Sequence, residues 1–129
     1  MARNRPEINV EIMKELTKYS EDVQRGIEKA ADRLSKGAVG RLRETSPRSK
    51  KSHKHYADGW TIRKYKEQGK LTIVIHNSIK PHLTHLLEYG HLTRDHKSRV
   101  SGTTHIAPVQ DRLNAEFEKA CEEIVQNGG

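Results

Sequence analysis

From residue 7 to about residue 43, apolar side chains recur at Ile12, Leu16, Tyr19, Val23, Ile27, Ala30, Leu34 and Ala38. Steps of three and four put them on one face of a 3.6-residue period, which predicts a long amphipathic helix. Pro6 suits its first turn, Glu7 and Glu11 its positive end, and Arg41 and Arg43 its negative end. A continuous helix of that length rises to roughly 50 Å, with Gly26, Gly37 and Gly40 as places to bend. So narrow a stripe on so long a helix is more naturally covered by a partner than by its own chain.

Residues 44–56 lack aliphatic side chains and concentrate Arg48, Lys50, Lys51, His53, Lys54 and His55, which predicts a basic loop. Trp60 to Tyr65 alternates apolar with polar positions, and Leu71 to Ile75 is short and β-branched, so residues 57–77 read as an antiparallel hairpin. Residues 80–90 have helical spacing up to Gly90, a C-terminal stop, and 91–102 is a polar, basic loop. Residues 103–107 fit a short strand. Pro108 then opens a last helix, 108–127, with Val109, Leu113, Phe117, Ala120, Cys121 and Ile124 on one face and acidic residues on the other. The expected fold is a single α+β domain. It has a long N-terminal helix, a small antiparallel sheet built on a hairpin, a short middle helix and a C-terminal amphipathic helix.

Composition sharpens this picture. Only 33% of the 129 residues are hydrophobic and 32% are charged, so the core is thin for the length and neighbouring subunits are expected to help cover it. The net charge of +7 is concentrated: residues 41–70 hold ten Lys/Arg against three Asp/Glu, which equals the whole excess. No apolar run approaches the roughly 20 residues that cross a bilayer, and the N-terminus lacks the apolar core of a secretory signal. No membrane partner and a cytoplasmic origin are therefore expected.

Catalytic chemistry has no visible home. Six of the eight histidines fall in pairs, His53/His55, His82/His85 and His91/His96, without the third ligand that a catalytic metal needs. No phosphate-binding glycine loop or nucleophile elbow occurs, so no cofactor is expected. Cys121 is the only cysteine and lies in an apolar stripe, as a small buried residue does.

Two stretches carry a family resemblance. Leu86-Leu87-Glu88-Tyr89-Gly90-His91 is followed, after a basic loop with a glycine, by His105-Ile106-Ala107-Pro108 at the head of the last helix. Ser46-Pro47 and a cationic spacer precede Tyr56-Ala57-Asp58-Gly59-Trp60 at the entry to the hairpin. In this order, behind a long helix, they resemble the tail-component or tail-completion family of lambda-like long-tailed bacteriophages. The chain departs from that pattern at 50–53, where the family often has Thr-Gly, at His91, often Thr, and at Ala107, often Arg. The resemblance implies a non-enzymatic virion protein of the neck or tail end, assembled in the host cytoplasm. It implies a homo-oligomeric ring, of six copies to match the tail, placed between head connector and tail proteins.

On that reading the subunit or partner interface comprises Leu86, Leu87, Glu88, Tyr89, Gly90, His105, Ile106 and Pro108. The basic loop (Arg48, Lys50, Lys51, His53, Lys54, His55) faces packaged DNA or a neighbouring ring. A ring needs two different patches that meet between successive copies. The acidic face of the last helix and the basic middle segment supply candidates. Two other readings compete. A nucleic-acid-binding protein would use Arg48, Lys50, Lys51, Lys54, Arg63, Lys64 and Lys66, and neutralising six phosphates would give a slope of log K against log salt of about −5. A metal-dependent His-Asn-His-type nuclease would use His76-Asn77.

Overall fold

Leu71, Ile73 and Ile75 point to one side of a strand, β3 (Lys70–Asn77), and are almost fully buried. Strand β1 (Val10–Glu15) pairs with one edge of β3 and β2 (Trp60–Glu67) with the other, both antiparallel, giving the order β1-β3-β2. The structure is a computed structural model and describes residues 9–48 and 55–128. Register places Val10 opposite Ile75, Ile12 opposite Ile73 and Ile62 opposite Ile75, so one face of the sheet is apolar. Two helices cover it. Helix α1 (Glu21–Thr45) packs over β2 and β3, α3 (Ile106–Asn127) packs against β1, and the helices pack on each other. The other face of the sheet, with Met13, Arg63 and Tyr65, is exposed.

The helix expected over 7–43 is thus two elements. Residues 7 and 8 lie outside the described residues, and Val10–Glu15 is a strand. Both periods fit this segment, because Val10, Ile12 and Leu16 satisfy an alternation as well as a helical stripe. The open edge of β3 decides, since a strand there gives its backbone groups partners that a helix would leave unpaired. Ser20 then starts α1 by accepting the Val23 N–H on its side chain at 3.2 Å, with Glu21 and Asp22 in the first turn. The outer edge of β1 is capped rather than left open. The Gln110 side-chain amide accepts the Glu11 N–H at 2.7 Å and donates to the Glu11 carbonyl at 2.9 Å.

Hairpin β2–β3 closes through Gln68 and Gly69, both at positive φ (52° and 77°), the two-residue turn whose twist matches the strands. After it come a 3-10 turn (Pro81–Leu83) and the short helix α2 (Thr84–Tyr89). A separate two-stranded ribbon follows, β4 (Gly90–Leu92) with β5 (Arg99–Ser101). This corrects two expectations: the loop at 91–102 contains a ribbon, and residues 103–107 form no strand. Strands of three residues leave too short a pattern to read, and Thr103 instead donates its N–H to the Leu87 carbonyl at 2.7 Å.

Candidate assembly interface

The two ends of the resemblance meet at Glu88. A helix N-terminus leaves its first N–H groups without partners, and at α3 the Glu88 carboxylate supplies them from seventeen residues upstream. It accepts the N–H of His105 at 2.7 Å, of Ile106 at 2.8 Å and of Ala107 at 3.0 Å. Pro108, next in line, has no N–H to satisfy. One buried carboxylate therefore serves every backbone donor of the first turn, in a place where the positive end of the helix dipole also favours it. Pro108 does not open the helix as expected. It sits in the first turn, behind an N-cap at His105 that makes no side-chain cap of its own.

The His105 ring extends the network. Its Nδ1 lies 2.7 Å from the Thr103 carbonyl and 3.0 Å from Glu88, both acceptors, so Nδ1 carries the proton. In the neutral ring Nε2 then accepts from the Tyr56 hydroxyl at 2.9 Å. Burial, with Glu88 nearby, pushes the Tyr56 phenol above its usual range. The Tyr56, Trp60 and His105 rings meet edge to face, with centroids 5.4 to 6.3 Å apart. Trp60 donates its indole N–H to Ser46 Oγ at 2.9 Å, and Ser46 donates to the Leu42 carbonyl at the end of α1. Ser46, Tyr56, Trp60, Glu88 and His105, spread over sixty residues of sequence, form one buried polar and aromatic junction.

The expected interface residues therefore divide. Glu88, Gly90, His105 and Ile106 are buried inside the chain, and Leu87 packs against the core. Leu86 is half-buried, while Tyr89 and Pro108 are exposed. Gly90 is fixed by close backbone approach. Its φ is +83°, and a Cβ there would lie 2.3 Å from the Val100 carbonyl oxygen. What the junction holds in place is the ribbon. Tyr89, at the end of α2, is 56% exposed, and Leu92 and Val100 are 52% and 46% exposed on a ribbon that, among the described residues, pairs only with itself. Leu92 shares one face with Arg99 and Val100 the other with His91, so both faces are apolar in part. The polar and basic composition of 91–102 conceals Leu92 and Val100, which belong to no periodic pattern along the chain.

Of the basic loop, Lys50, Lys51, His53 and Lys54 lie outside the described residues. Arg48 pairs with Asp58 at 3.3 Å and His55 is half-buried. Three of the seven members of the nucleic-acid set, Arg48, Lys64 and Lys66, are engaged in ion pairs within the chain. Lys64 reaches Glu28 at 3.1 Å and Asp32 at 3.3 Å, and Lys66 reaches Glu28 at 3.2 Å. Burial alone would raise the Glu28 carboxyl, but the two ammonium groups outweigh it and hold it below the usual carboxylate range. Arg63 stays on the exposed sheet face, beside the Tyr65 hydroxyl. The nuclease reading loses Asn77, which is buried and structural. Its amide donates to the Tyr56 carbonyl at 2.7 Å, and its oxygen accepts the N–H groups of Ile79 and Lys80. Among the described residues no group of three His, Cys, Asp or Glu side chains is placed to hold a metal. Cys121 is buried, which pushes its thiol up against an opposing pull from Lys14. No described helix is long and apolar enough to cross a membrane.

With this geometry in hand, comparison with known proteins gives one result. The chain belongs to the family described as "Bacteriophage HK97-gp10, putative tail-component", whose family model matches residues 11–90. That is a structural family of phage tails, and it places the chain among virion components. The match runs from β1 to the first residue of β4, so it includes Ser46, Tyr56, Trp60 and Glu88 but neither the rest of the ribbon nor α3. No curated protein and no solved structure matches the chain.

Proposed function

We propose that the chain is a ring-forming tail-completion or head–tail connector protein of a long-tailed phage, joining tail to head at the neck and turning over no substrate. The ribbon β4–β5 carries the reading. A two-stranded ribbon is marginal in water by itself, and this one shows apolar groups on both faces while its base is clamped by Glu88. A rigidly anchored arm of that kind is suited to insertion against a neighbouring subunit. The ring is hexameric, with the head connector on one side and tail proteins on the other, and forms in the host cytoplasm before entering the virion. The cationic segment 48–55 faces the DNA channel or an adjoining ring.

Light scattering on the full chain, alone and mixed with head-connector and tail partners, tests the reading. A species of six chain masses in either condition supports it. A protein that stays monomeric in both, with phage particles maturing normally in its absence, removes it. DNA cleavage by the purified chain would remove it too.

A further inference from the structure

The outer face of α1 is a basic stripe whose counter-charges have been drawn away. Arg25, Lys29, Arg33, Lys36 and Arg43 are all exposed, and steps of four, four, three and seven keep them within about 80° of one another around the helix. That arc lies opposite the buried Val23, Ile27 and Ala38. The only acids of α1 between Arg25 and Arg43 are Glu28 and Asp32, and both turn toward the sheet to meet Lys64 and Lys66. Arg25 pairs with Asp22 at the first turn. Among the described residues, Lys29, Arg33 and Lys36 have no acidic partner. The sequence hides this stripe, because residues 1–40 are nearly neutral in sum while the fold sorts their charges by face.

A strip of the outer face of α3 has the opposite sign, flanked by Arg112, which pairs with Glu116, and by the exposed Lys119. Asp111, Glu118 and Glu122 are exposed on the side away from Leu113 and Phe117. Steps of seven and four align them, as a step of seven links Lys29 with Lys36 and a step of four links Lys29 with Arg33. The stripes have similar lengths, about 21 Å from Lys29 to Arg43 and about 16 Å from Asp111 to Glu122. One ion pair, Arg41 with Glu116 at 3.3 Å, joins the two helices at their seam within a chain. The stripes themselves face outward.

The geometry points to a contact between copies of this chain in which the basic stripe of α1 seats on the acidic stripe of α3 of the next copy. Two different patches on each copy are what a head-to-tail ring requires, so this assignment deepens the ring reading above and rests on it. A duplex would suit α1 less well: its phosphates would also run against the acidic helix packed beside α1, whereas a second copy matches both signs.

Two exposed-surface variants of the full chain test the assignment, read by light scattering across about 0.05 to 0.5 M salt. Lys29→Glu/Arg33→Glu/Lys36→Glu reverses α1, and Asp111→Lys/Glu118→Lys/Glu122→Lys reverses α3. Each alone is expected to weaken self-association by about 100-fold or more, since like charges then face each other. Mixing the two restores assembly, because each reversed stripe finds its complement. Circular dichroism keeps loss of folding separate from loss of contact. Wild-type assembly by both reversed variants overturns the stripe contact and leaves the ring reading standing. A wild-type chain that never assembles, even with neck partners, overturns both. Intact assembly of the α1 variant with loss of wild-type duplex binding overturns the contact and makes α1 a nucleic-acid face.

Discussion

Glu88 and His105 meet at the start of α3, where one carboxylate oxygen accepts the His105 backbone N–H at 2.7 Å and lies 3.0 Å from the ring Nδ1. The pair ties α2, and through it the base of the ribbon, to the last helix. Two of the expected interface residues, Glu88 and His105, belong to this internal junction, and on the proposed reading they hold Tyr89, Leu92 and Val100 at a fixed place.

Glu88→Ala leaves three N–H groups, two of them buried, without their acceptor and is expected to destabilise the chain by about 2–4 kcal/mol. Glu88→Gln keeps one acceptor oxygen and should cost roughly half as much. Urea unfolding gives both values, and amide exchange at Ile106 and Ala107 should accelerate more in the alanine variant. Equal stability of Glu88→Ala and wild type would show that the cap contributes nothing.

Ser46→Ala removes the acceptor of the only tryptophan's indole N–H. The expected loss is about 1–2 kcal/mol, with a shift in Trp60 emission. Unchanged emission and melting would show that the Ser46–Trp60 bond does not hold the end of α1 to the sheet.

The Glu28 carboxylate titrates below its ordinary range because of Lys64 and Lys66. A depressed folded-state pKa adds stability that is complete above the unfolded-state value and is lost as pH falls through the folded value. Wild type should therefore exceed Glu28→Gln in stability near neutral pH, by no more than about 1 kcal/mol for so accessible a cluster. The gap should close as the pH drops below about 4. A gap independent of pH would assign the effect to packing rather than charge.

Tyr56 shows the opposite sign. Its phenol is raised, so the stability it confers is present below the ordinary phenol range and is lost as pH rises above about 10. Ultraviolet titration of wild type against Tyr56→Phe should place the missing ionisation step above that range. The variant should also lose about 1 kcal/mol with its bond to His105. A Tyr56 step at the ordinary position would show a solvated phenol.

Leu92→Ser with Val100→Thr should change the thermal stability of the free chain by less than about 0.5 kcal/mol, because both sites are exposed. Assembly by light scattering should be lost. An assembled double variant would show that the ribbon lies outside the contact.

The residues of α1 from Val23 onward, the hairpin around Gln68-Gly69, and α3 were legible because each has a period long enough to state its own geometry. The resemblance was legible too, since Ser46-Pro47, Trp60 and Leu86 to Gly90 stand in the family's order. Four members of the junction they form lie in the matched region 11–90. The junction itself was not, because nothing in a linear pattern says that Glu88 will serve a helix seventeen residues away.

What the chain determined by itself is the amphipathic rhythm of its helices and hairpin, which follows from local spacing and needs no partner. The tertiary structure alone decided that Val10–Glu15 is a strand, that Glu28 and Asp32 turn inward, and that Glu88 is a cap. In each case the local pattern allows two answers, and a distant group breaks the tie: the free edge of β3, the ammonium groups on β2, or the bare N–H groups of α3.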